Sequence, residues 1–244
     1  MTKKHILTAA HCMEDIHISE LKVALGSNNY ASKLGGVEFR DLKAFEKHPK
    51  YAYGLAKYDV AILELKRTIT FSFIRTPICL PSNASLDLNK WAENPYTQVL
   101  GYASPDPNST HLQSSRITIL NHENCAPKHQ QALHSALETL SDEDDRKTLN
   151  SSVETLIQDD EFSSSLICGK NPQIETEGTC PGDSGGPLTV LTNNKFLQVG
   201  TVHGSVIDCD NTKFPTVFVS LLDYEVLNFV RRTLFGTYLP KCKY

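Results

Sequence analysis

Short apolar runs, each closed off by turn residues, constrain the fold of this chain more than any other feature. Leu21–Leu25, Val37–Phe45, Val60–Leu65, Thr97–Tyr102, Arg116–Leu120, Phe196–Val202 and Val217–Leu222 read as strands. Pro77, Pro81, Pro105, Pro107 and Gly185-Gly186-Pro187 punctuate the gaps between them. Regularly spaced short strands favour a barrel or a sandwich. At 244 residues the chain is long enough for one large domain or two small lobes sharing a core. The longest apolar run, Phe214 to Leu222, carries Pro215 and falls far below the roughly 18 residues that cross a bilayer. No membrane partner is expected.

Two segments depart from the strand pattern. His129 to Leu140 and Asp223 to Phe235 place apolar residues on one helical face, the second behind Asp223 as an N-cap. Charge is uneven as well. Nine acidic residues lie between Glu138 and Glu161, a local net charge of −7 against −4 for the whole chain. This run reads as a solvated loop inside a long acidic insertion, 126–167, between Cys125 and Cys168. No Lys/Arg block exceeds two residues, so nucleic acid is not expected as a partner.

Seven cysteines suggest an oxidising compartment and leave one unpaired. None forms a C-x-x-C pair, and the other histidines, His129 and His134 among them, lack metal-ligand spacing and read as surface residues. Neither a metal nor a cofactor is expected. Asn-x-Ser/Thr triplets occur at Asn83, Asn108 and Asn150, all in polar stretches. The first residues, Met-Thr-Lys-Lys-His-Ile-Leu-Thr, do not form a signal peptide.

Three segments carry chemistry: Leu7-Thr8-Ala9-Ala10-His11-Cys12, Tyr58-Asp59-Val60-Ala61-Ile62-Leu63 and Gly182-Asp183-Ser184-Gly185-Gly186-Pro187. A serine hydroxyl is a poor nucleophile until a neighbouring imidazole takes its proton. That imidazole needs a carboxylate to fix its tautomer. Glycine beside the serine lets backbone N–H groups approach a reacting carbonyl oxygen.

These motifs, in the order His, Asp, Ser, resemble those of chymotrypsin-like (trypsin-family) serine peptidases. Lys47-His48-Pro49-Lys50-Tyr51, Pro77-Ile78-Cys79-Leu80-Pro81, Val99-Leu100-Gly101-Tyr102 and Leu166-Ile167-Cys168-Gly169 extend the likeness. The resemblance implies an all-β fold of two antiparallel barrels with a C-terminal helix, the N-terminal barrel incomplete, across a domain of 1–244. It implies His11 as general base and acid, Asp59 as its orienting carboxylate and Ser184 as nucleophile. The N–H groups of Gly182 and Ser184 would form the oxyanion hole, and Asp183 would receive a freshly cut N-terminal amine. Cys125 with Cys168 and Cys180 with Cys209 match two family disulfides, leaving Cys12, Cys79 and Cys242 over. A secreted endopeptidase is implied, with protein or peptide substrates and protein inhibitors as partners.

The chain departs from the family in three places. His11 lies almost at the start, so the chain expressed from Met1 is expected to be nearly inactive. Val202-His203-Gly204 stands where the family has Ser-Trp-Gly, so His203 or Val202 replaces a serine that helps to orient the triad aspartate. Gly178 occupies the base of the specificity pocket, with Thr179, Gly204, Ser205 and Thr216 around it. The resemblance then implies cleavage after small or medium uncharged residues, as in elastase-like members. Two other readings stay open: a catalytically inactive homologue serving as a binding module, and an interaction protein working through its acidic insert.

Overall fold

The computed structural model describes residues 2–31, 37–82, 94–104, 108–121, 165–173, 178–205 and 214–235, with 91, 106, 125, 127, 131, 147 and 209 as isolated positions. The chain folds into two antiparallel sheets and a C-terminal helix. Four strands make the first sheet: β1 (His5–Thr8), β2 (Lys22–Leu25), β3 (Glu38–Lys47) and β4 (Ala61–Leu65), in the order β1-β4-β3-β2. Seven make the second: β5 (Gln98–Gly101), β6 (Gln113–Arg116), β7 (Thr118–Ile119), β8 (Leu166–Lys170), β9 (Pro187–Thr192), β10 (Lys195–Gly204) and β11 (Thr216–Ser220). Their order is β6-β5-β9-β10-β11-β8-β7. β6 and β7 are separated only by Ile117, yet one pairs with β5 and the other with β8. A single bent segment thus joins both ends of the sheet and rolls it into a barrel, which leaves that sheet no open edge.

Burial follows the period-two geometry of strands. On β4, Ala61, Leu63 and Leu65 pack with Leu42, Met13 and Ile69 inside the first sheet, while Ile62 faces the opposite way. Ile62 joins Val60, Leu7, Val219 and Leu221 in a second cluster beneath the helix α1 (Tyr224–Phe235). That helix contributes Val226, Phe229, Val230 and Leu234, and Asp223 caps it by accepting the Val226 N–H at 3.0 Å. The barrel interior is filled by Ile167, Leu188, Val190, Val199, Val202 and Phe218. The shared cluster ties the two sheets together, and the site lies where they meet.

Several expectations need correction. β1, β8 and β9 had no counterpart among the expected strands. Pro187 reads as gap punctuation in the sequence, but it begins β9, where its missing N–H costs nothing. β8 starts at Leu166, so the end of segment 126–167 belongs to the barrel rather than to an insert. Cys79, expected to be left over, is disulfide-bonded, its partner lying outside the described residues. Cys125 is bonded to Cys168 and Cys180 to Cys209, while Cys12 is a free thiol. His48 is buried rather than on the surface. The acidic run, the segment His129 to Leu140, Asn83, Asn150 and Cys242 fall outside the described residues, apart from isolated positions. Asn108 is exposed in a turn over Asp106. No helix among the described residues is long and apolar enough to cross a membrane.

Candidate active site

β1 ends at Thr8, and fully buried Ala9 and Ala10 lead into a single 3-10 turn, His11–Met13. The opposing turn at 182–186 packs against this segment at Gly185. A β-carbon on Gly185 would lie 2.2 Å from Thr8 Oγ1 and 2.8 Å from the Ala9 nitrogen. Gly185 also has φ +81°, and Gly182 has φ +102°, conformations that L side chains rarely adopt. Gly185 therefore lets the backbone that carries Ser184 press against the backbone that leads to His11, while Gly182 faces Ala103.

Asp59 arrives from a strained turn just before β4. Tyr58, the residue before it, has φ +62°, a left-handed conformation that costs an ordinary residue about 1–2 kcal/mol. Its ring is held by the buried His48 ring, stacked at 4.6 Å and 6°. Phe229 of α1 abuts His48 edge-on at 4.9 Å. Packing from the helix thus fixes the backbone that aims Asp59 inward.

The Asp59 carboxylate is wholly buried and accepts three hydrogen bonds. The His11 backbone N–H donates to Oδ1 at 2.8 Å, His11 Nδ1 to Oδ2 at 2.6 Å, and His203 Nδ1 to the same Oδ2 at 2.6 Å. Burial pushes this carboxyl up, but the bonds from His11 and then His203 outweigh it and hold it at about 2. An ionised carboxylate only accepts, so both imidazoles carry a proton on Nδ1. The bond to Asp59, followed by the contact between His11 Nε2 and Cys12 Sγ at 3.6 Å, raises His11 to about 10 against the opposing effect of burial.

Ser184 lies beside this pair. Its Oγ donates to the His203 carbonyl at 3.3 Å and makes no hydrogen bond to His11. Within the same turn the N–H groups of Asp183, Gly185 and Gly186 are used by the carbonyls of Cys180, Val202 and Asp183. Those of Gly182 and Ser184 donate to no group among the described residues. Asp183 is buried, accepting the Ala103 N–H on Oδ1 and the Cys180 N–H on Oδ2, each at 3.0 Å. Burial raises its carboxyl above the usual range, against those two bonds.

The residues expected around the specificity pocket lie close together. Thr179 and Thr216 are buried with their hydroxyls 3.2 Å apart. Ser205 Oγ donates to the Thr179 carbonyl at 3.5 Å, Gly178 N–H to the Cys209 carbonyl at 3.2 Å, and Gly204 has φ +156°. Sequence reasoning assigned His203 no role, although it flagged the departure at Val202-His203-Gly204. The structure puts its imidazole on the aspartate that the missing serine would have served.

The family model described as Trypsin matches residues 1–226. A venom serine protease, Bi-VSP, of Bombus ignitus is 29% identical over 231 residues, covering 92% of this chain and 55% of that protein. A venom protease of Bombus pensylvanicus is 28% identical, covering 91% of this chain and 79% of its own length. Hypodermin-A of Hypoderma lineatum is 29% identical, with 90% and 71% covered. The chain thus spans about half of the first of these relatives and more of the other two.

Proposed function

Because the chain belongs to the trypsin family, we propose that it is the peptidase domain of a secreted serine endopeptidase, with the acidic segment between Cys125 and β8 as an insertion. The observation that carries this reading is the buried Asp59 carboxylate, bonded to both the backbone and the ring of His11 at 2.8 and 2.6 Å. In turnover, Ser184 Oγ exchanges its bond to the His203 carbonyl for one to His11 Nε2. It gives up its proton there as it attacks a substrate carbonyl. The Nδ1–H···Asp59 bond stabilises the imidazolium that forms. The unused N–H groups of Gly182 and Ser184 suit a developing oxyanion, a contribution worth roughly 10²–10³ in rate per donor. His11 then returns the proton to the leaving amine, and water releases the acyl group from Ser184.

Two finer assignments belong to the same proposal. Thr179 and Thr216, buried with hydroxyls 3.2 Å apart, put two side chains in the region expected to form the specificity pocket, which supports cleavage after small or medium uncharged residues. Asp183, held by two backbone N–H groups, is the carboxylate that would receive a chain-start amine. A fluorophosphonate probe tests the core of the reading: labelling at Ser184, lost in Ser184→Ala and His11→Ala, is the expected result. The bond from Ser184 to His203 rather than to His11 favours a second reading, a binding module without turnover. An activated protein that takes no label at Ser184 would establish that reading instead.

A further inference from the structure

Two imidazole nitrogens converge on one buried carboxylate oxygen within the site. His11 Nδ1 and His203 Nδ1 each lie 2.6 Å from Asp59 Oδ2, and the three ligand-type atoms all fall within 4.8 Å of one another. The rings cross nearly at right angles, 85°, with centroids 5.5 Å apart, so the two imidazoles approach Asp59 from different directions. Asp59 is inaccessible, but the side chains of His11 and His203 are 30% and 24% exposed, which lets a hydrated cation reach them. Two imidazoles and a carboxylate with a solvent side are the donor set that borderline divalent metals prefer, three protein ligands plus one open position.

We propose that His11, Asp59 and His203 form a binding site for a divalent transition metal of the zinc class, and that filling it switches off the nucleophile. A tetrahedral ion with bonds of about 2.0 Å needs ligand atoms roughly 3.3 Å apart. Each N–O contact must therefore open by roughly 0.7 Å, a displacement that two partly exposed rings can supply by rotation while Oδ1 stays tied to the His11 backbone N–H. As the ion binds, the Nδ1 proton of His11 leaves to solvent and that of His203 is exchanged for one on Nε2. Each imidazole then gives its Nδ1 lone pair to the ion and is protonated on Nε2 alone. That tautomer is the inhibitory element, because an Nε2 already protonated cannot accept the Ser184 proton. The three ligands are 48 and 144 residues apart in sequence. No local spacing could announce the site.

The binding half stands on geometry alone; the inhibitory half rests on the peptidase reading above. Cobalt(II) is the probe, added to the purified, metal-stripped full chain at near-neutral pH and followed by visible absorption. The expected result is one equivalent giving the intense d–d bands of four-coordinate cobalt, bleached by zinc. His203→Asn keeps a side-chain donor for Asp59 but removes the imidazole ligand, and it should lose the bands while its circular dichroism and thermal midpoint stay near wild type. Wild type without tetrahedral bands, or bands that persist in a folded His203→Asn, would overturn the site; persistence would mean that the metal binds elsewhere or that His203 only holds Asp59. In peptide turnover, zinc should inhibit wild type reversibly, with chelator restoring activity, and should lose that effect on His203→Asn. Zinc-insensitive turnover in a protein that gives the cobalt bands would overturn the switch. An activated protein that gives the bands but neither cleaves peptides nor takes the serine probe keeps the metal site and loses the peptidase reading.

Discussion

Asp183 fits where it does because residue 101 has no side chain. A β-carbon on Gly101 would lie 1.8 Å from Asp183 Oδ1, 2.6 Å from Cγ and 3.3 Å from Cβ. In Gly101→Ala the whole carboxylate must therefore retreat by more than an ångström, which breaks both of its 3.0 Å bonds to the Ala103 and Cys180 N–H groups. Each buried donor left unpaired costs about 1–3 kcal/mol, and the overpacking itself adds about 1–3 kcal/mol. The expected loss is at least about 3 kcal/mol. It is readable in a urea titration through the fluorescence of Trp91, the single tryptophan, which sits among the barrel core residues. A double-mutant cycle isolates the cause. Asp183→Ala leaves the same two donors unpaired but removes the atoms that collide, so adding Gly101→Ala to it should cost at least ~1 kcal/mol less than adding it to wild type. Because the turn 182–186 carries Ser184, turnover should fall with the single substitution as well. A Gly101→Ala protein within about 1 kcal/mol of wild type, or a strictly additive cycle, would refute the collision.

The charge network predicts a pH signature. His11 must be neutral to take a proton and its pKa lies well above 6.5, so kcat/KM should still be rising above neutral pH; Cys12→Ala, which removes the second cause of the shift, should move that limb to lower pH. For stability, the His11 contribution is full below 6.5 and is lost as pH rises toward about 10. That of Asp59 is full above 3.8 and is lost as pH falls toward about 2. The stability difference between wild type and Asp59→Asn should therefore be largest between pH 3.8 and 6.5, and a difference flat across pH would contradict the network. His48→Ala should cost about 2–4 kcal/mol in chemical denaturation, from lost core volume and two ring contacts, and should lower turnover through Tyr58 and Asp59. Thr216→Gly opens the buried hydroxyl pair and should raise kcat/KM for substrates with bulkier side chains before the cut by roughly tenfold, measured against an alanine substrate.

Much of the fold could be read from the chain because the information was local. The turn around Ser184 is a run in which Gly182 and Gly185 need positive φ and Gly186 lies against the Leu100 and Asp183 carbonyls, so steric need is written into consecutive residues. Helix α1 declared itself by its apolar face and its aspartate cap. β9 was hidden because Pro187 reads as a breaker, although a strand's first residue tolerates it. β8 was hidden because Cys168 and Gly169 dilute a strand of five residues. Cys79 was misread because its bond depends on a distant partner that no spacing rule supplies.

The replacement at position 203 carries the same lesson further. In sequence, Val202-His203-Gly204 looks like a loss of support for Asp59, since a small hydroxyl donor has gone. In three dimensions the support remains and its character has changed, because an imidazole now donates to Oδ2 at the same 2.6 Å as His11. A hydroxyl on a buried carboxylate is a weak metal ligand, whereas an imidazole is a common one. The negative charge that steadies the His11 imidazolium is thereby shared with a second group, one open to solvent on one side. Whatever binds His203 must act on His11 through their common oxygen. Beside His11, Asp59 and Ser184, the chain thus carries at position 203 a ligand-type side chain that a serine would not provide.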